Sequence, residues 1–143
     1  MKPSVRLARP ADGERVGALL DSFRREFNYA GETVVPLPAG HEGPLFVLLA
    51  EDGEQLLGLL AAQRCHSLVR GGQFLLITDI YVGATARRGG VAMALMNEAL
   101  GLGRRLGCGA VSLIVEHVNN ATLAMAARAG FIKHDDLLLT CRL

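Results

Sequence analysis

The stretch FLLITDIYV, from Phe74 to Val82, is an almost unbroken run of apolar, aromatic and β-branched residues, bounded by Gly72 before it and Gly83 after it. A run this short and this continuous reads as a strand buried on both faces. Burial on both faces requires helices on either side of a sheet, so the chain is α/β. Asp79 is the only charge in the run. A lone carboxylate there is costly unless it is solvated, paired or used.

The residues after the strand sharpen the expectation. Arg87, Arg88, Gly89 and Gly90 form a turn, and Ala92, Leu95, Ala99, Leu102 and Leu106 then recur at helical spacing as far as Gly107. The turn therefore stands at a helix N-terminus. There the first backbone N–H groups lack intrahelical partners and the macrodipole favours an anion. Two glycines allow close approach to the backbone, and two arginines add charge. Taken alone, the same residues equally fit an ordinary turn with a solvated arginine pair. Neither GxxxxGK[ST] nor a GxGxxG after a strand occurs, so the common nucleotide loops are absent.

The rest of the chain supplies a single domain, residues 1–143, long enough to bury a core. Val5 to Ala8 reads as a first strand ended by Pro10. Asp12 caps a helix whose Val16, Leu19, Leu20, Phe23 and Phe27 share one face. From Asn28 to Gly43 the pattern dissolves into a loop with Gly31, Pro36, Pro38 and Gly40, with room for a short helix. Pro44 to Ala50 and Gln55 to Cys65 form a hairpin about Glu51-Asp52-Gly53-Glu54, and Arg70-Gly71-Gly72 turns the chain into the central strand. Ala110 to Glu116 is the next strand. Asn119 or Asn120 opens a helix through Ala129 that stops at Gly130, and Asp136 to Leu143 is the last strand.

Composition narrows the function classes. Fifteen basic and fourteen acidic residues leave a net charge of +1, which argues against a nucleic-acid surface. No apolar run reaches the roughly 18 to 20 residues of a membrane span, and no apolar signal core follows Lys2 and Arg6. The expected location is the cytoplasm. Cys65, Cys108 and Cys141, odd in number and without a CxxC, read as reduced and mostly buried thiols. His41, His66, His117 and His134 have no metal-ligand spacing, so no metal is expected.

Arg87-Arg88-Gly89-Gly90-Val91-Ala92 resembles [Q/R]xxGx[G/A], the acetyl-CoA pyrophosphate loop of the GNAT family of N-acetyltransferases. Asp79-Ile80-Tyr81-Val82 is similar to that family's acidic residue and strand end. Asn119 and Gly130-Phe131 stand where its later motifs fall, and RPAD before the first helix is similar to its openings. The resemblance implies a mixed, mostly antiparallel sheet of six to seven strands flanked by about four helices. The strand ending at Val82 and the one beginning near Ala110 would splay into a V-shaped cleft.

It further implies that Arg87, Arg88, Gly89, Gly90, Val91 and Ala92 hold the diphosphate of acetyl-CoA. Ile80, Tyr81 and Val82 would pair with the pantetheine arm through their backbone, and Asn119 would bond it from the other side, with Asn120 as the alternative. Phe27, Tyr29 and Glu32 become acceptor contacts, or else part of a plain surface loop. The implied reaction is attack by a primary amine of a small molecule or peptide on the acetyl thioester. Asp79 is the candidate base, ahead of Glu116 and His117, and a backbone N–H near Val82 would stabilise the oxyanion. The family's usual tyrosine acid falls on Ala126. Tyr81, on the same strand face as Asp79, is the candidate substitute, or else a core-packing residue. The alternative is a non-catalytic acyl-CoA-binding module that kept the loop and lost the acid. A homodimer through the final apolar strand fits either.

Overall fold

The computed structural model describes residues 2–31, 43–69, 71–116 and 119–143. These form one mixed sheet of five strands in the order β1-β2-β3-β4-β5. The strands are β1 (Ser4–Leu7), β2 (Leu45–Asp52), β3 (Gln55–Ser67), β4 (Gly72–Val82) and β5 (Ala110–Leu113). The first four are antiparallel neighbours, and β5 runs parallel to β4. The helices are α1 (Gly13–Phe27), α2 (Val91–Arg105) and α3 (Asn120–Arg128), with short 3-10 turns at Pro10–Asp12 and Ala84–Ala86.

Both sheet faces are covered, but β4 is fully buried at Leu75 and Ile77 on one face and, on the other, only at Tyr81, with Phe74, Leu76 and Thr78 half-buried and Asp79 exposed. On one face Leu95, Met96, Ala99 and Leu102 of α2, with Met125 of α3, pack on Phe46, Leu48, Leu60, Leu75 and Ile77. On the other, Val16 of α1 packs on Val47, Leu49 and Leu59, flanked by Leu19 and Leu20. β2 and β3 thus send alternate residues into two separate cores. The β2–β3 turn is tighter than expected. Asp52 pairs with Gln55, leaving only Gly53 and Glu54 as loop, with Gly53 at φ 60.

Several expectations are corrected. Among the described residues there are five strands and three α-helices, not six to seven and four. Asp136 to Leu143 is not a strand. Leu137, Leu138, Leu139 and Leu143 are exposed and the segment has no regular structure, since apolar composition makes no strand without a pairing neighbour. β5 stops at Leu113 rather than Glu116. Asp12 does not cap α1 with its side chain; the Arg6 guanidinium takes both carboxylate oxygens at 2.8 Å. The cysteines are not mostly buried, for Cys65 and Cys108 are half-buried and Cys141 exposed. No helix among the described residues is long and apolar enough to cross a membrane. The short helix expected before Gly43, and Glu32, His41 and His117, lie outside the described residues.

A network of charges ties α1 to the sheet. Arg6 of β1 and Arg15 of α1 share Asp12 and Glu51, with Arg6 Nε to Glu51 Oε1 at 2.7 Å and Arg15 Nη2 to Glu51 Oε2 at 2.8 Å. Both carboxylates are buried. The Arg6 hydrogen bonds hold the Asp12 carboxyl well below the usual carboxylate range against the opposing effect of burial. For Glu51, burial pushes upward, but the bonds from Arg15 and Arg6 outweigh it and the net direction is down. The network fixes the angle at which α1 lies on the sheet, and α1 in turn lines the end of β4.

Candidate active site

β4 and β5 run side by side only where Phe74 to Ile77 face Ala110 to Leu113. The last bond between them is Ile114 N–H to the Ile77 carbonyl, 3.2 Å. β4 continues to Val82 with no strand on that side among the described residues, so the two part at Ile77 and leave the sheet open there. On its other side β4 stays paired with β3 throughout, Leu60 to Ile80, Leu59 to Tyr81 and Gly58 to Val82.

A bulge falls at the point of parting. Ala62 opposes Ile77 while Ala61 opposes Asp79, which makes Thr78 the extra residue. The side-chain alternation therefore shifts by one. Ile77 and Ile80 both pack into the α2-side core, whereas Tyr81 meets Phe23 of α1 edge-on at 4.8 Å. Without the bulge Asp79 would lie on the face of Ile77, in the apolar core. With it, Asp79 is exposed on the α1 side, its Oδ2 accepting from Thr78 Oγ1 at 2.8 Å. The costly lone carboxylate is thus a solvated one.

Beyond β4 the chain enters the arginine–glycine turn. Gly90, at φ 78, is the N-cap of α2, and Arg88 takes φ 67, a left-handed backbone unusual for a side-chain-bearing residue. The first helical bond is Ala94 N–H to the Gly90 carbonyl, 3.0 Å, so the preceding amides of the turn point ahead of the helix. A Cβ built on Gly90 meets nothing within 4 Å. The turn therefore offers open space, free N–H groups and the positive end of a 15-residue helix, which suits a diphosphate.

Arg87 takes a different course. Its Nη2 meets Glu26 Oε2 at 2.5 Å, its Nε donates to the Val82 carbonyl at 3.1 Å, and its guanidinium lies over the Tyr81 ring at 5.7 Å. The Tyr81 hydroxyl donates to the same Glu26 oxygen at 2.8 Å. Hydrogen bonds from Arg87 and then Tyr81 hold the Glu26 carboxyl below its ordinary value. Burial, followed by the bond to Glu26, raises the Tyr81 phenol. Glu26 has no sequence signal of its own and reads as a solvated helix charge.

The α1 wall is aromatic. Phe23 stacks on Tyr29 at 5.4 Å and lies 5.3 Å from Phe27. The Tyr29 hydroxyl donates to Glu116 Oε1, 2.7 Å away and 87 positions along the chain, so it spans from the end of α1 to the segment leaving β5. Asn119 caps α3, its Oδ1 accepting from Thr122 N–H at 3.1 Å, while Asn120 is the first helical residue. Ala126, at the family tyrosine position, is buried. Asp79, Tyr81, Glu26, Arg87, Tyr29 and Glu116 are thus brought to one side of the parted strands. A cavity of about 650 Å³ lies at the opposite end of β4, against Gln73, Phe74 and His134, away from these groups.

Residues 13–131 match the acetyltransferase (GNAT) family. Among curated proteins, none matches the chain in sequence. Solved structures share the fold at low identity. An aminoglycoside acetyltransferase from an uncultured soil metagenomic sample, in complex with sisomicin, is 14% identical with a TM-score of 0.80, over 99% of this chain and 95% of that one. A ribosomal-protein-alanine N-acetyltransferase from Brucella melitensis biovar Abortus 2308 is 18% identical with a TM-score of 0.79, over 99% and 100%. A putative acetyltransferase from Agrobacterium tumefaciens str. C58 is 15% identical with a TM-score of 0.78, over 97% and 99%.

Proposed function

The chain belongs to the acetyltransferase (GNAT) family, and on that premise we propose that it moves an acetyl group from acetyl-CoA to a primary amine of a small molecule or peptide. The observation that carries this reading is the parting of β4 from β5 at Ile77, with the open turn at Gly90 close after the free strand end. When bound, acetyl-CoA supplies an acetyl group activated as a thioester. The amides of Arg88, Gly89, Gly90, Val91 and Ala92, with the Arg88 charge, hold the diphosphate. The backbone of Ile80, Tyr81 and Val82 lines the arm as an added strand would. Asn119 keeps its side-chain NH₂ for the arm while its oxygen caps α3.

An alkylammonium of pKa about 10.4 must lose a proton before its nitrogen lone pair can attack. Asp79, exposed beside the aromatic wall, takes that proton directly or through a water. A C–N bond would form as the C–S bond breaks, the sulfur leaving with the electron pair and the second proton shed by the nitrogen passing to the departing thiolate. A thiol of pKa about 8.5 is a tolerable leaving group without a dedicated acid. Tyr81 is poorly placed as that acid, because its hydroxyl is given to Glu26 and its pKa is raised. Its part is to anchor Arg87 and back the face that carries Asp79.

One observation favours a second reading, a non-catalytic acyl-CoA-binding module. Buried Ala126 offers no hydroxyl, and Tyr81 has committed its own. Calorimetry with coenzyme A, and thiol release from acetyl-CoA over a panel of amines, separate the two. Transfer is supported by turnover that Asp79→Asn lowers at least about 100-fold, the usual scale of general-base catalysis. Binding without thiol release supports the module. No binding at millimolar coenzyme A overturns both.

A further inference from the structure

Tyr29 and Glu116 come from distant parts of the chain and meet at the mouth of the cleft, where β5 has left β4. Phe27 and Tyr29 are 49% and 47% exposed, so two half-exposed aromatic rings, 6.3 Å apart, stand on this wall, and Tyr29 is bonded to a carboxylate. The charge there is unbalanced. Glu26 is matched by Arg87, but among the described residues neither Asp79 nor Glu116 has a cationic partner. Asp79 is near enough to be felt at Tyr29, whose phenol is raised first by the bond to Glu116, then by burial and by the charges of Glu116 and Asp79.

Two carboxylates without a matching cation, flanking an exposed aromatic wall, do more than a single-amine acceptor needs. One carboxylate suffices to receive the proton of the reacting ammonium. The other, Glu116, is bonded to the Tyr29 hydroxyl at the edge of a cluster of electron-rich rings, which attract cations. We propose that Glu116, with Tyr29 and Phe27, forms a subsite for a second positive charge on the acceptor, so that the preferred substrate is a diamine or a peptide amine with a neighbouring basic side chain. This rests on the acetyl-transfer reading and names its substrate class. The Tyr29 hydroxyl occupies Glu116 in the absence of acceptor, and the second ammonium competes for the same oxygen.

The test compares hexylamine with 1,6-diaminohexane on the full chain, by thiol release from acetyl-CoA and by calorimetric binding to the coenzyme A complex. The diamine is expected to lead in kcat/KM by about tenfold, through KM, the scale of one exposed ion pair joined to a cation–aromatic contact. That lead shrinks in 0.5 M salt, which screens exposed charge. Glu116→Gln, at an exposed position, is expected to bring the ratio near one. Equal turnover of the two amines by the unsubstituted protein overturns the subsite and leaves acetyl transfer standing. Loss of kcat on both amines in Glu116→Gln also overturns it, by making Glu116 the base. Preferential diamine binding without thiol release upholds the subsite and overturns the transfer.

Discussion

Arg87 and Glu26, 61 positions apart, meet at 2.5 Å, and the pair holds the turn before α2 against the end of α1. The arrangement sets a carboxylate close to a turn that suits an anion. Removing that charge should strengthen anion binding. Glu26→Gln is expected to tighten coenzyme A by about two- to fivefold, the scale of one partly exposed ion pair. The change should be larger at low salt than at 0.5 M. Titration calorimetry at two ionic strengths checks it, and weaker binding would mean that Arg87 serves the ligand best when fixed by Glu26.

Arg88 is held at φ 67 two residues before Gly90 at φ 78. A left-handed backbone costs a residue with a side chain about 1–2 kcal/mol relative to glycine. Arg88→Gly is therefore expected to raise the stability of the ligand-free chain by about 1 kcal/mol, while weakening coenzyme A through the lost charge. Gly90→Ala goes the other way on stability, lowering it by a similar amount, through backbone strain alone since its Cβ meets nothing within 4 Å. Denaturant unfolding of the two variants beside calorimetry distinguishes strain from charge.

The two faces of the sheet and its three helices were legible because their cause is local. Apolar runs and helical spacing are written in consecutive residues, as in Leu95, Ala99 and Leu102. The turn at Arg88 to Gly90 was legible for the same reason. The hidden features depend on partners. The bulge at Thr78 is defined only by the register of β3, yet it decides that Asp79 faces the solvent. Asp12 has the right type and place for a helix cap, but Arg6 claims it from β1. The final LLLTCRL has strand composition and no neighbour to pair with among the described residues. Tyr29 and Glu116 each carried a separate expectation, and only the fold brings them together.

The buried carboxylates Asp12 and Glu51 predict a pH dependence. Both have folded-state pKa values below those of the unfolded chain. Their contribution is therefore fully present above the unfolded value, about 4, and is lost as pH falls below it. The melting temperature should hold between pH 8 and 5 and drop below pH 4. Asp12→Asn leaves Arg6 without its bidentate partner. It should cost about 2–3 kcal/mol at pH 7, less than for a fully buried pair because the Arg6 side chain is 28% exposed. The variant should also flatten the acid limb of the curve. Thermal melts across pH 3 to 8 on both proteins test the sign and the size.

Gly103 governs how closely α2 lies on β5. A Cβ there would come within 2.7 Å of Val111 Cγ2, nearer than real side-chain carbons approach, and β-branched Val111 has little rotamer freedom to yield. Gly103→Ala must then shift the helix or the strand, at about 1–3 kcal/mol for overpacking. The strain reaches the cleft because α2 carries the turn at Gly90 and β5 forms the far wall. If the contact is the cause, Val111→Ala in the same chain should recover part of the loss, with a coupling of about 0.5–3 kcal/mol in a double-mutant cycle. Coenzyme A affinity should fall in the single Gly103→Ala variant and recover in the double, so that the spacing of helix and strand, rather than any group touching the ligand, is what the cycle reads.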